Sequence, residues 1–201
     1  FPSRYEALDL DIADAIEEGI VMIGAAGNSN RYYVREGHQD YNNKIKISGF
    51  IRNMHRGSSP SHAKGVICVG SIDTASDHRR SSFTNFGERI DVFAPGSNIL
   101  SIGGSNNYNS NMGPITRPGY SAGVDNMLTI SGTSMASPQV CGILACAATG
   151  RERFTNDDAI QFIRNFSRDD LMDFDIVGTT GQSYNFTIDR AQTTSQDYYL
   201  T

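Results

Sequence analysis

The chain has 201 residues, 38% hydrophobic and 19% charged, which is enough for one medium domain with a sizeable core and excludes a disordered chain. Seventeen basic against 22 acidic residues leave a formal charge of -5 without charge runs, so no basic stripe exists to displace the counterions of a nucleic acid. No apolar run approaches the roughly 20 residues of a membrane-spanning helix, and the first residues have neither a basic n-region nor an apolar h-region.

In chain order the pattern begins with a helix. Ser3-x-x-Glu6 has the form of a capping box, Leu8, Ile12 and Ile16 form an apolar stripe, and Gly19 is the expected stop. The chain opens at Phe1 without an initiator Met and enters this helix at once, which we read as the middle of an architecture with something upstream.

Ile20 to Ala25 is a continuous apolar run that ends in the turn cluster Ala26-Gly27-Asn28-Ser29-Asn30. Such a run predicts a strand buried on both faces, hence parallel, with a functional loop at its C-terminal end. Residues 29 to 65 read as a long excursion in which Lys44-Ile45-Lys46-Ile47 is the only alternating piece. Val66 to Ile72 predicts the second buried strand, Ile90 to Ala94 the third and Asn98 to Ser101 a short fourth. Residues 103 to 125, rich in Asn, Ser, Gly and Pro, predict a second long loop.

Met127 to Ile130 leads into Ser131-Gly132-Thr133-Ser134, then Pro138 and a small-residue helix from Gln139 to Ala148, ended by Gly150. A helix so rich in Ala, Gly and Cys is expected to be central and buried on most sides. Thr155 to Asp158 caps a further helix, Ala159 to Asn165, with Ile160, Ile163 and Phe166 as its stripe. The last thirty residues alternate weakly, as in Tyr184 to Ile188, and predict a hairpin with a Tyr-rich tail. With no repeat and no linker, the reading is one α/β domain over 1–201, with 151–201 as its terminal helix and hairpin or tail. Cys68, Cys141 and Cys146 are odd in number and unspaced for a disulfide framework, and are expected to be small buried hydrophobes.

Two short segments carry chemistry. Ser134 sits where a glycine turn enters the central helix, so its hydroxyl meets the positive end of the helix dipole and unpaired N–H groups able to donate to an oxyanion. A plain N-cap serine is the alternative. Asn28 follows Gly27 at the C-terminal end of a buried strand, and its side-chain N–H suits a second bond to the same oxyanion; a turn asparagine is the alternative there.

Taken together, these segments closely resemble the subtilisin family of serine endopeptidases. Gly132-Thr133-Ser134-Met135-Ala136-Ser137-Pro138 matches the family's nucleophile signature and Ala25-Ala26-Gly27-Asn28 its oxyanion segment. Three further blocks follow the family's order: Val66 to Gly70, Ser82 to Gly87 and Asp91 to Gly96. The likeness covers residues 4 to about 150, with the two long loops as insertions. It implies a three-layer α/β fold with a mostly parallel central sheet flanked by helices, of which this chain is the C-terminal portion. It also implies peptide or protein substrates, attack by Ser134, an oxyanion held by Asn28 and the Ser134 N–H, and substrate-binding positions at Ala25, Ala26, Gly27 and Thr133, the first three forming one pocket wall. Gln139 stands where the family usually has a histidine.

The resemblance leaves the triad incomplete. Subtilisins place the His about 160 and the Asp about 190 residues before the Ser, and 133 residues precede Ser134 here. The expected partner is therefore an N-terminal half of the same protease on a separate, cleaved or upstream segment, carrying the Asp and His blocks. His38, His55, His62 and His78 lie in polar loops with no glycine following and are read as surface or structural, and Asp73-Thr74-Ala75 is only superficially like the Asp block. No cofactor or metal is expected on this chain: the family's first calcium site falls in the upstream half. At the weaker site beside the Phe83 to Asp91 loop the expected carboxylate is Arg89, although Asp91 remains. Pro60 falls where many subtilisins carry a cis proline. A catalytically inactive structural or binding protein that keeps this fold is the competing reading.

Overall fold

The computed structural model describes residues 3–47, 49–73, 79–102 and 127–168. Its elements are α1 (Glu6–Glu17), β1 (Ile23–Ala25), β2 (Lys44–Ile47), β3 (Phe50–Asn53), β4 (Ile67–Ile72), β5 (Val92–Pro95), β6 (Ile99–Ile102), β7 (Met127–Ile130), α2 (Thr133–Ala148) and α3 (Asn156–Phe166). Strands β1, β4 and β5 form a parallel sheet in that order, with Ile23 opposite Ile67 and Val69 opposite Val92. The expected α/β class with parallel, helix-flanked strands is what the chain adopts. All three strands run the same way, so their C-terminal ends and the loops after them gather on one edge.

Every residue of β4 is buried. Ile67 and Val69, with Val92 and Ala94 of β5, pack against Ala136, Val140 and Leu144 of α2 and Ala159 and Ile163 of α3. Cys68, Ile72 and Phe93 form a second cluster with Ala26 and Ile90. Period-two alternation sends neighbouring side chains to opposite faces, and both faces are covered, which is why these segments read as unbroken apolar runs. A third cluster joins Ile12 to Ala63 and Val66, with Ile16 and Met22 against it, and seats α1.

Local sequence explains most element ends and corrects some expectations. Gly19, at φ +93°, closes α1 through bonds from its N–H to Ile16 O and from Ile20 N–H to Ala15 O, both 3.0 Å, a Schellman pattern that needs the left-handed residue. The capping box at Ser3 does not form: the N-cap is Tyr5, without a side-chain cap bond, and its N–H donates to Ser59 Oγ at 2.9 Å. Ser59 Oγ in turn donates to Asp9 at 2.6 Å, and Arg4 pairs with Asp9 at 2.8 Å. Long-range contacts thus replace the local cap. The Ser59–Pro60 bond is cis, where the resemblance placed it.

α2 begins at Thr133, six residues before the predicted start, and contains Pro138. Pro138 is the sixth residue of the helix, where its ring costs the bond to the Ser134 carbonyl and crowds that carbonyl, and the helix runs on through it to Ala148. Its buried residues Thr133, Ala136, Val140 and Leu144 form one stripe. Cys141, Gly142, Ala145 and Cys146 are exposed, so the expectations that α2 is covered on most sides and that all three cysteines are buried do not hold; Cys68 alone is buried. α3 carries a capping box between Thr155 and Asp158, as its sequence indicates. Phe166 is 67% exposed and stacks on Phe162 at 4.6 Å instead of entering the core.

Within the first long loop, β2 pairs antiparallel with β3, a strand without alternation that the sequence did not reveal. β6 and β7 form another antiparallel pair, Ile99 opposite Ile130. The loop over 103–125 and the terminal hairpin and tail lie outside the described residues.

Candidate active site

The loop after β1 and the start of α2 meet at the C-terminal edge of the sheet. Ala26 N–H continues the β1–β4 ladder to Val69 O at 2.8 Å, and Gly132 N–H is anchored on Gly96 O at 2.7 Å, just past β5. The two segments are locked together through Thr133. Its N–H and its hydroxyl each donate to Asn28 Oδ1 at 2.9 Å, and the hydroxyl oxygen accepts the Gly27 N–H at 3.0 Å. A backbone N–H can only donate, so the Asn28 atom facing it is the carbonyl oxygen and the amide NH2 points the other way. It points past Gly132, where a Cβ would stand 3.3 Å from Asn28 Nδ2.

Ser134, the second residue of α2, is exposed, and its backbone nitrogen lies 3.8 Å from the same Cβ position at Gly132. The N-cap Gly132 offers no side-chain bond to the first turn; the Thr133 N–H is taken by Asn28 Oδ1 and the Met135 N–H by Gly132 O at 2.9 Å, which leaves the Ser134 N–H without a partner among the described residues. Asn28 is exposed and Thr133 is fully buried. The structure therefore brings Ser134, Asn28, Gly27 and Thr133 together across more than a hundred residues of sequence.

The loop carrying Asn28 is shaped by Asn85, a residue that sequence reasoning passed over although it lies in the Ser82 to Gly87 block. Asn85 is 4% exposed; its amide donates to Ala26 O at 2.6 Å and its carbonyl accepts the N–H groups of Ser29 at 3.2 Å and Arg31 at 2.9 Å. Its own N–H donates to Gly27 O at 2.8 Å. Gly27 has φ +95°, and a Cβ there would lie 2.5 Å from Asn85 Nδ2, so both backbone and space require glycine. Behind Asn85, the hydroxyls of Ser71, Ser81 and Ser97 form a buried chain at 2.7 and 2.8 Å. Thr84 links this chain to the loop, accepting the Ser71 N–H at 3.0 Å and donating to Asn85 O at 3.1 Å.

Ala25 ends β1 half-buried, while Ala26 is 1% exposed with its side chain in the core. Gly27 is half-buried as well. Gln139 donates to Pro95 O at 2.6 Å and Met135 O at 3.1 Å, fastening α2 to the end of β5.

The described histidines are engaged elsewhere. His38 sits 3.7 Å from the Asp40 carboxylate, and His55 Nδ1 lies 2.9 Å from Tyr32 O. His62 is 5% exposed, with Nδ1 3.2 Å from the Ser58 backbone and its ring edge-on to Tyr33. Burial, aided by the neighbouring Arg89 charge, pulls its pKa down to about 4, so its ring is neutral at pH 7. His78 lies outside the described residues. Among the described residues no helix is long and apolar enough to cross a membrane.

The sequence profile described as the subtilase family matches residues 2–186. The chain is 38% identical over 143 residues to "Subtilisin-like protease 1" of Trichophyton equinum, an alignment covering 71% of this chain and 20% of that protein. It is 37% identical over 141 residues to "Cerevisin" of Saccharomyces cerevisiae, covering 70% of this chain and 16% of the relative. Its fold is similar to the crystal structure of a cold adapted subtilisin-like serine proteinase, with TM-score 0.59 and 26% identity over 87% of this chain and 48% of that one. The chain thus spans about a fifth of these curated relatives and about half of the solved structure.

Proposed function

This chain belongs to the subtilase family, and on that premise we propose that it carries the nucleophile and oxyanion side of a serine endopeptidase site. Ser134 attacks the scissile carbonyl. The Asn28 Nδ2 group and the Ser134 N–H receive the oxyanion that forms, and an upstream segment supplies the Asp and His that orient and take the serine proton.

The observation that carries this reading is the Thr133–Asn28 lock. It consumes the amide oxygen of Asn28 in two bonds and so presents the NH2, a donor, toward the start of α2 where Ser134 stands. Donors fixed before the reaction stabilise developing negative charge without reorganising. Gly27 and Ala25 offer the adjoining wall for the residue preceding the cut, and peptides or proteins are the substrates. The outward face of α2, with Cys141 and Cys146 exposed, and the free side of β1, whose described pairing is to β4, are the surfaces on which the upstream segment packs.

The test is active-site labelling of the complete protein with a fluorophosphonate. Modification at Ser134, lost in Ser134→Ala, supports the assignment, whereas label on another serine, or activity that survives Ser134→Ala, overturns it. Asn28→Leu is expected to lower kcat by about 10²–10³, the size known for subtilisin's own oxyanion asparagine. An inactive protein that labels nowhere would favour the structural or binding reading.

A further inference from the structure

The segment His62 to Val66 turns its backbone carbonyls toward one point, and a carboxylate closes the group from the other side. At that point lies the guanidinium of Arg89, a residue only 8% exposed. Nη2 donates to Ala63 O at 2.8 Å and to Val66 O at 3.0 Å, Nε donates to His62 O at 3.3 Å, and Nη1 donates to Asp91 Oδ2 at 2.9 Å. The same Asp91 oxygen accepts the Cys68 N–H at 2.7 Å, and its other oxygen accepts Arg35 at 2.7 Å. Three convergent main-chain carbonyls and a carboxylate are the donor set of a hard cation such as calcium. Each would be costly to bury unpaired.

A calcium ion is what the family resemblance places beside this loop, and the residues present do not fit it. The guanidinium occupies the point where these oxygens converge. With Arg35 also on Asp91, two fixed positive charges already face the single carboxylate, so a divalent ion entering here would meet net repulsion.

We propose that Arg89 is the resident cation of this oxygen cage: it ties the turn before β4 to the start of β5 without a metal, and its replacement by a carboxylate converts the cage into a divalent-cation site. A planar fork with five donors suits several oxygens at once, a geometry that lysine's single ammonium cannot reproduce. The cage closes the Ala63 to Asp91 region that carries β4, whose Val69 carbonyl accepts the Ala26 N–H at the base of the Asn28 loop. The proposal is independent of the catalytic assignment, since neither Ser134 nor Asn28 enters it.

The experiment is thermal unfolding of the complete protein with 10 mM calcium or with chelator at about pH 7.5, together with terbium luminescence titration. In the native protein neither the midpoint nor the terbium signal should show a response that Asp91→Asn removes. Arg89→Met should lower the midpoint by about 5–15 °C with no calcium response, because it leaves a buried carboxylate and carbonyls without their cation. Arg89→Glu should be strongly destabilised in chelator, regain about 5 °C or more with calcium, and gain a terbium site. A calcium- or terbium-dependent response of the native protein that Asp91→Asn abolishes would overturn the proposal, and this arm stands even if Arg89→Glu does not fold. A folded Arg89→Glu variant that ignores both ions would overturn the second half of the proposal, the conversion of the cage into a cation site.

Discussion

Thr133 holds Asn28 by two bonds to one oxygen, from its N–H and from its hydroxyl, each 2.9 Å long. The hydroxyl also accepts the Gly27 N–H, so a single fully buried side chain fixes both the flip of the amide and the turn that carries it. Asn28 would act only as charge develops on the substrate, and a residue that aims it should affect turnover and not binding. In the complete protein, Thr133→Val is expected to lower kcat about tenfold, the loss of about one hydrogen bond's worth of stabilisation, with KM within twofold. Thr133→Ser should restore most of the rate. An increase in KM with unchanged kcat would show that Thr133 touches substrate instead.

His62 predicts an acid-sensitive fold. Its folded pKa of about 4 lies below the ordinary 6.5, so on acidification the unfolded chain takes up a proton first. The stabilisation is therefore complete above about pH 6.5 and is lost progressively as pH falls toward 4, on the order of 3 kcal/mol in all. Protonation would also set a second cation beside Arg89, which already donates to the His62 carbonyl. Urea unfolding between pH 7 and 4.5 should show the native protein losing stability more steeply than His62→Gln. Parallel curves for the two would exclude His62 as the source.

The three cysteines should divide two to one. Cys68 is fully buried in β4, and burial raises its thiol pKa to about 12, whereas Cys141 and Cys146 lie exposed on α2. A thiolate-selective reagent at pH 8 should modify two thiols quickly in the folded 201-residue chain and the third only on unfolding. If an upstream segment packs on α2 as proposed, its presence should slow both fast thiols by tenfold or more. Unchanged rates would place that segment elsewhere.

Short segments with their own chemistry were legible in the sequence: the buried β4 run, the Thr155 cap, the Gly19 stop, and the Asn28 and Ser134 motifs. Each is written in a run of a few adjacent residues. What stayed hidden depends on partners far along the chain. Ser3 looks like a cap, but the N-cap is Tyr5, whose own N–H is held by Ser59, more than fifty residues on. Pro138 looks like a helix start because proline favours the first turn, yet Gly132 and the Thr133–Asn28 lock set the start earlier. The small residues of α2 suggested burial on most sides, but composition cannot say which face a neighbour covers. Asn85 and Arg89 act through main-chain groups, and such bonds leave no periodic signature. Arg89 was noticed only as a missing carboxylate; its role became visible when the fold brought Ala63, Val66 and Asp91 around it.

The last prediction concerns complementation. None of the described histidines is placed at Ser134: His38, His55 and His62 are each committed to other groups. A serine hydroxyl without an adjacent base is a weak nucleophile at neutral pH, and the oxyanion donors alone give limited help. In subtilisin itself, loss of the His or Ser costs roughly 10⁶ in turnover while leaving about 10³–10⁴ over water. The isolated 201-residue chain should therefore hydrolyse peptides only at that residual level, with little dependence on pH between 6 and 9. Addition of a segment bearing a subtilase Asp block and His block should raise the rate by several orders of magnitude and introduce a rise with pH near the histidine range. That gain should vanish with Ser134→Ala and with substitution of the added His. Ordinary protease rates from the isolated chain, abolished by His38→Ala, His55→Ala, His62→Ala or His78→Ala, would mean that the base lies within this chain and that the site needs no upstream partner.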